Sequence, residues 1–190
     1  MSNKSDVLAA PVNVTMQRLT LLSIPAMPLL PAPLVMRRAQ LEEAGTLAAM
    51  LGRAFVDETW EIAGTERELF GDETVRAVLA VAAKERLVAT ASLQVRANAP
   101  ECGWVRWVTT EEDWRRQGLA RALLIGVLAV AEQAGCREAR LRTSTDRLAA
   151  ISLYLQLGFE PLVRDDAERE VWKQVSRLLS GEVGSDHLGR

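Results

Sequence analysis

The stretch Trp104–Gly135, WVRWVTTEEDWRRQGLARALLIGVLAVAEQAG, decides the fold that this sequence predicts. It indicates a short buried strand, a tight basic turn and a long helix that ends at Gly135. The first N–H groups of a helix have no acceptor inside the helix, and the helix dipole places partial positive charge there. Because Arg115, Arg116 and Arg121 add full charges, the turn predicts a binding site for a phosphate group.

A second segment, Ala150–Phe159, reads AISLYLQLGF and follows the helix along the chain. Together with the turn it resembles the Gcn5-related N-acetyltransferases, whose two motifs are (Gln/Arg)-x-x-Gly-x-(Gly/Ala) and A-I-x-L-Y-x-x-L-G-F. Arg115, Gly118 and Ala120 fall on the three fixed places of the first motif. The resemblance implies an α/β fold, with a mixed central sheet flanked by helices and one splayed strand pair. A dinucleotide-binding motif is excluded, because no G-x-G-x-x-G follows a strand.

Hydrophobic periodicity predicts the other elements, in the order β-α-α-β-β-β-α-β-α-β-β of that fold. Thr65 and Glu68 are spaced as a capping box, which predicts a short helix that ends at Gly71. The other predicted elements are a strand at 34–38, a helix at 41–55, a hairpin of 74–83 and 86–96, a strand at 138–144, a helix at 147–157, and a last strand pair at 159–163 and 170–177.

Length and composition favour one globular domain, because 190 residues that are 48% hydrophobic suffice for a sizeable core. We expect a proline-rich N-terminal arm at 1–33, the domain at 34–180 and a flexible tail at 181–190. The stretch from Leu19 to Met36 carries no charge, but its four prolines oppose a membrane-spanning helix. The formal net charge of −2 provides no basic field for nucleic acid or for a membrane surface.

Cysteine and histidine usage opposes a metal site. Cys102 and Cys136 lack metal-ligand spacing, and the single histidine, His187, lies in the tail. We therefore expect neither a metal nor a tightly bound cofactor. Free thiols are the default in a reducing compartment, so the sequence predicts a cytoplasmic protein.

The resemblance implies that acetyl-CoA is the co-substrate, and it assigns the residues that hold it. Backbone groups of Val108, Thr109 and Thr110 would pair with the pantetheine arm, and the N–H of Val108 or Thr109 would stabilise the oxyanion. Tyr154, the only tyrosine, would protonate the leaving thiolate, with a structural role as the alternative. Arg147 stands where the family usually has asparagine; it would reach a CoA phosphate or carbonyl, or be a solvated first-turn residue. The phosphates would lie on Arg115, Arg116, Gln117, Gly118, Leu119, Ala120 and Arg121.

No residue of the sequence stands out as the general base. The two positions at which relatives carry a glutamate hold Trp104 and Arg142 here. Proton removal through an ordered water is the alternative to a nearby carboxylate. The carboxylates that are available close by in sequence are Asp57, Glu58, Glu111, Glu112 and Asp146.

Two arginines suggest the chemistry of the acceptor. Alternation along the central strand predicts that Arg106 shares a face with Thr110. If Arg142 lines the same face, the two guanidinium groups favour an acceptor with a carboxylate or phosphate beside its amine. The alternative is that both arginines pair with acids such as Glu101 or Glu138.

The sequence thus predicts an N-acetyltransferase that moves acetyl from acetyl-CoA to a primary amine of a small molecule, such as an amino acid or its analogue. The amine would attack directly in a ternary complex. Two alternatives remain: a non-catalytic acyl-CoA-binding or sensing module, motivated by the missing base, and a protein N-acetyltransferase. A homodimer is compatible with each of these functions.

Overall fold

The computed structural model describes residues 10–181, in which seven strands form one open, mixed sheet in the order β2-β3-β4-β5-β6-β1-β7. The strands are β1 Asn13–Arg18, β2 Leu34–Arg38, β3 Val75–Ala83, β4 Arg86–Val95, β5 Cys102–Thr110, β6 Glu138–Ser144 and β7 Glu160–Pro161. The helices are α1 Ala44–Ala54, α2 Ile62–Glu66, α3 Leu119–Gln133, α4 Leu148–Gln156 and α5 Asp166–Ser180. The predicted fold, a mixed sheet flanked by helices, is confirmed.

Residues 19–140 form one compact unit around the antiparallel strands β2 to β5. The hairpin of β3 and β4 turns at Lys84 and Glu85, as predicted, with Lys84 at a φ of 56°. Helix α3 is apolar on most of its surface and is buried, which is typical of a helix inside a core. Gly126 of α3 lets this helix approach the sheet closely, because a Cβ there would lie 2.9 Å from Leu79 Cδ1.

Residues 10–18 and 141–181 belong to the second compact unit. Strand β1 pairs antiparallel with β7, and Met16 lies opposite Pro161. The inward residues of β1 are Val14, Met16 and, unexpectedly, Arg18. The Arg18 guanidinium donates to the carbonyl of Leu157, directly after α4, and burial lowers its pKa. A buried cation thus occupies the helix end that carries partial negative charge.

Three predictions about the elements were wrong. Residues 170–177 are helical because Asp165 caps α5, accepting from Glu168 N at 2.8 Å, and Trp172 and Val175 bury one face at three-residue spacing. The capping box of Thr65 is absent, since Thr65 lies inside α2 and Glu61 is the N-cap residue. The arm also contains a strand, β1, which the sequence prediction missed.

Residues 19–33 contain neither helix nor strand, in keeping with the prolines of this stretch. Between residues 10 and 181 no helix has both the length and the apolar composition needed to cross a membrane. The domain limits at 34 and 180 and the splay between two strands stay predictions. The predicted tail lies outside the described residues, apart from Gly181.

Both cysteines are free thiols and buried, as expected for a reducing compartment. Cys102 opens β5 and Cys136 follows α3, and an added Cβ on Gly103 would lie 3.7 Å from Cys136 Sγ. Burial raises the pKa of the Cys102 thiol to about 12 and also raises that of Cys136. Neither thiol is therefore ionised near neutral pH.

Candidate active site

The predicted phosphate-binding turn ends at Gly118, which is the N-cap residue of α3. Gly118 has a φ of 78°, a conformation that side chains with a Cβ rarely adopt, and a Cβ added there would meet nothing within 4 Å. Its carbonyl accepts from Ala122 N at 3.0 Å, so the helix begins here. Gly118 itself has no side chain that could cap this end. The first N–H groups of α3 therefore receive no acceptor from the side chain of their N-cap residue.

The turn is held from within while its charges stay accessible. Arg115 Nε donates to the Thr110 carbonyl at 3.4 Å, and Gln117 Nε2 donates to the Asp113 carbonyl at 3.3 Å. Arg116 is exposed at a φ of 60°. Leu119 is buried and anchors the turn, whereas Ala120 and Arg121 are half-buried. The sequence motif is thus one continuous turn with positive charge at an open helix end.

Strand β5 contains a β-bulge that changes the predicted face of Thr110. Arg106 lies opposite Ser92, but Thr109 lies opposite Thr90, so β5 has one residue more than β4 between these pairs. The bulge includes Trp107, which has a φ of 55°. Because partners across an antiparallel pair share a face, Thr109 and not Thr110 lies on the face of Arg106.

A cavity of about 270 Å³ opens at the end of β5. Thr110 and Glu111 line it from the strand, Arg53 from the end of α1, and Arg115 from the turn. The Glu111 carboxylate pairs with Arg53 at 2.6 Å and lies 4.0 Å from Arg86. Thr110 Oγ1 is buried and has no hydrogen-bond partner among the described residues. A ligand entering this cavity would meet a paired carboxylate rather than a free base.

Arg106 does not stand as an uncompensated charge. Its Nη2 lies 3.2 Å from Oε1 of Glu68, its Nη1 donates to Gln94 at 3.1 Å, and its Cζ lies 4.7 Å from the centre of the Trp107 ring. The structure therefore shows Arg106 in an ion pair, which was the predicted alternative to an acceptor-binding role. Its partner is Glu68, however, and neither Glu101 nor Glu138. Glu138 pairs with Arg140 instead, at 2.9 Å.

In the unit that contains α4, Tyr154 and Arg147 belong to the same helix. Arg147 is its N-cap residue, and its carbonyl accepts from Ala150 and Ile151. Tyr154 is buried against Phe159, and burial raises the pKa of its phenol to about 12, with Arg147 acting in the opposite direction. The phenol therefore keeps its proton near neutral pH, as a general acid must.

The remaining candidate residues lie at the surface. Arg142 is exposed on β6, between the buried residues Leu141 and Thr143. Four of the five carboxylates that were named as bases are exposed, namely Asp57, Glu58, Glu112 and Asp146. None of the described residues groups with others as a metal site. The anionic-acceptor hypothesis now depends on Arg142 alone and stays a prediction.

The sequence prediction missed Glu68 and the bulge of β5. Glu68 was interpreted as half of a capping box, whereas its carboxylate accepts from Trp107 Nε1 at 3.1 Å and pairs with Arg106. No spacing rule connects residues that far apart along the chain. The bulge had a weak signal, since two tryptophans and an arginine within Trp104–Trp107 interrupt the alternation of apolar and polar residues.

Solved structures of similar fold give the first comparison. A Gcn5-related N-acetyltransferase from Sphaerobacter thermophilus is 25% identical, with a TM-score of 0.64. The matched region covers 79% of this chain but only about half (48%) of the Sphaerobacter protein. A structure described as AAC(6')-Iy in complex with a bisubstrate analogue, CoA-S-monomethyl-acetylneamine, is 16% identical over 70% of this chain and 95% of its own, with a TM-score of 0.62. Glucosamine-6-phosphate N-acetyltransferase from Arabidopsis thaliana is 14% identical over 70% and 95%, with a TM-score of 0.56. The last two likenesses show the fold alone.

The sequence itself gives the second comparison. No curated protein matches the chain. The profile of the acetyltransferase (GNAT) family matches residues 42–159, which include the turn at Gly118 and the helix of Tyr154. This match spans more than half of the 190 residues. The chain therefore belongs to the acetyltransferase (GNAT) family.

Proposed function

We propose that this protein transfers acetyl from acetyl-CoA to the primary amine of a small molecule, by direct attack in a ternary complex. The observation that carries the proposal is the open N-terminus of α3. Gly118 leaves space where any other residue would place a Cβ, and Arg115, Arg116 and Arg121 supply charge. A pyrophosphate provides the acceptors that the first N–H groups of the helix lack.

The proposed reaction uses the backbone of β5 for the acetyl group. The pantetheine arm would pair with backbone groups of Val108, Thr109 and Thr110, like an added strand. The amine nitrogen attacks the thioester carbonyl carbon, and the N–H of Val108 or Thr109 would donate to the resulting oxyanion. The C–S bond then breaks, which gives the N-acetyl amine and the CoA thiolate.

Tyr154 is the proposed general acid for the leaving thiolate. The phenol is protonated throughout the neutral range and therefore has a proton to donate. Arg147, at the start of the same helix, is proposed to reach a CoA phosphate or carbonyl. The proton of the attacking amine would leave through ordered water, since the four exposed candidate carboxylates are solvated and Glu111 is paired.

Two measurements test this function. Calorimetry should detect binding of acetyl-CoA, and a colorimetric thiol assay should detect CoA release that depends on a primary amine. The amine panel should include simple alkylamines, arylalkylamines, amino acids, polyamines and amino sugars. Absence of acetyl-CoA binding at millimolar concentration would refute the proposal.

A non-catalytic acyl-CoA sensor is the second candidate. It is favoured by two observations: neither Trp104 nor Arg142 provides a carboxylate at the family's base positions, and Glu111 is bound to Arg53. Such a sensor would bind acetyl-CoA but release no thiol with any member of the amine panel. Buried free thiols support a cytoplasmic location for either candidate.

A further inference from the structure

The carboxylate of Glu68 has one oxygen engaged and one available. Oε1 accepts from Trp107 Nε1 at 3.1 Å and from Arg106 Nη2 at 3.2 Å. Oε2 receives no hydrogen bond from any residue between 10 and 181, and 40% of the side chain is exposed. Because an ionised carboxylate can only accept, whatever binds Oε2 must be a hydrogen-bond donor.

Glu68 is fixed in place by a network of side chains. Gln94 accepts from Arg106 and donates to Thr74 Oγ1 at 2.9 Å and to Asp72 at 3.2 Å. The network therefore orients Arg106, which in turn orients Glu68. Glu68 also lies in a π-helical turn, Arg67–Gly71, a backbone irregularity that is frequent at functional sites. A hydrogen-bond donor that binds Oε2 would thus find the Glu68 carboxylate already held in one orientation.

Through its hydrogen bond with Trp107, the Glu68 carboxylate lies beside the β5 bulge and beside a cluster of three aromatic rings. Trp107, which donates to Glu68, directly precedes Val108, whose N–H is a proposed oxyanion donor. The Trp107 ring contacts Phe55 at 5.2 Å and Trp60 at 4.6 Å, both edge-on, and all three rings are only half-buried. An apolar body that lay on this aromatic wall, defined as Phe55, Trp60 and Trp107, would have its polar end near Glu68.

We propose that Glu68 binds the ammonium group of the acceptor and that the acceptor is a cationic amine with an aromatic or extended apolar body. This inference rests on the proposed function, since it assigns the substrate class of the same site. The charge-assisted bond to Oε2 holds the amine beside the β5 bulge, and the aromatic wall holds the remainder of the molecule. A carboxylate on the acceptor is disfavoured, because it would be repelled by Glu68 while the nearby cation, Arg106, is already engaged by Glu68 and Gln94.

The competing explanation is that Glu68 serves only as the counter-ion of Arg106. The variant Glu68→Gln separates the two, because glutamine keeps an oxygen for Trp107 and Arg106 but removes the charge. Glu66→Gln is the matched control, since Glu66 is an exposed acid two residues earlier on α2. A counter-ion role predicts a lower unfolding temperature for Glu68→Gln and an unchanged KM for the amine.

The test uses 2-phenylethylamine and phenylalanine, which differ by one carboxylate. The wild-type protein should prefer 2-phenylethylamine, and Glu68→Gln should raise its KM about tenfold to a hundredfold, the loss of one charge-assisted contact. The KM for acetyl-CoA should not change, and Glu66→Gln should behave as wild type. Trp60→Leu should reduce the preference for 2-phenylethylamine over ethylamine. Preference for phenylalanine, or an unchanged KM in Glu68→Gln, would overturn the inference.

Failure of the proposed function gives a different result. If acetyl-CoA does not bind, or no amine releases thiol, calorimetric titration of 2-phenylethylamine still measures the site directly. Binding by wild type and by Glu66→Gln, but not by Glu68→Gln, supports the amine site independently of turnover. Equal heats in all three proteins, or no binding by wild type, would overturn it.

Discussion

Two turns of this protein have the same backbone conformation and opposite surroundings. Gly118 and Gly158 both have a φ of 78°. At Gly118, before α3, an added Cβ would meet nothing within 4 Å. At Gly158, after α4, it would run into the guanidinium of Arg18. One helix end is open and the other is filled by the protein itself.

The sign of the helix dipole explains the difference. The C-terminal end of α4 presents carbonyl groups, and the guanidinium of Arg18 from β1 donates to one of them. The N-terminal end of α3 presents N–H groups and needs an acceptor, and its N-cap residue, Gly118, has no side chain that could supply one. The contrast teaches that the helix end with a structural role is closed by the protein itself, whereas the helix end that we propose as a ligand site is left open.

The largest expected effect tests the open end. Gly118→Glu should abolish acetyl-CoA binding, lowering affinity more than a hundredfold, because a carboxylate would take the place of the phosphate. Gly135→Glu is the matched control: it has a φ of 85°, also meets nothing within 4 Å, and lies just beyond the other end of α3. Calorimetry should show near-normal binding for this control. Equal losses in both variants would mean that helix strain, not the occupied site, is responsible.

The second largest expected effect concerns Tyr154 on α4, the helix whose C-terminal end is closed by Arg18. Tyr154→Phe should lower kcat about a hundredfold or more, because only the proton donor is removed, while the KM for acetyl-CoA stays nearly constant. Steady-state rates with the best amine of the panel measure both. An unchanged kcat would return Tyr154 to a purely structural role.

The third effect tests the closed end by filling it further. Gly158→Ala should lower the free energy of unfolding by about 2–3 kcal/mol. The added methyl group would displace buried Arg18, and the alanine backbone would be held in the left-handed region. Gly181→Ala has a similar φ of 74° but open space around it. Its expected cost is about 1 kcal/mol, from backbone strain alone. Denaturant titration of both variants gives the difference, and equal costs would show that Arg18 yields freely.

The smallest effect is a pH dependence near the closed end. Burial raises the pKa of Tyr154 to about 12 from an ordinary 10.0, so the folded state favours the neutral phenol. This contribution to stability is complete below pH 10 and is lost as the pH rises through about 12. Phenolate absorbance reports it cleanly, since Tyr154 is the only tyrosine. A midpoint near 10 in the folded protein would contradict the burial of this ring.

Local signals were sufficient for the turn, for α3 and for the β3–β4 hairpin. The signal for each of these elements lies within a few consecutive residues: a glycine, a cluster of basic residues or a two-residue turn. The open end at Gly118 was therefore predictable. The closed end was not, because it depends on Arg18, which lies 139 residues from its carbonyl partner and occupies an inward position that alternation assigns to an apolar residue.

The other differences between the predicted and the observed structure also arise from features that local sequence patterns do not reveal. A single inserted residue at the β5 bulge exchanged the faces of Thr109 and Thr110, and periodicity cannot locate such an insertion. The residues 170–177 alternate enough to suggest a strand, but the Asp165 cap and the burial of Trp172 make them helical. Glu68 obtained its partners only through the folding of β5 against the π-helical turn Arg67–Gly71.

The burial of both cysteines makes the natural protein a convenient reagent. Cys102 and Cys136 are protonated and enclosed, so a disulfide-based chromogenic reagent added to the native protein should detect released CoA with little background. No cysteine has to be removed beforehand. A single cysteine introduced at an exposed position, such as that of Glu66, would carry a fluorophore or spin label as the one reactive thiol of the folded molecule.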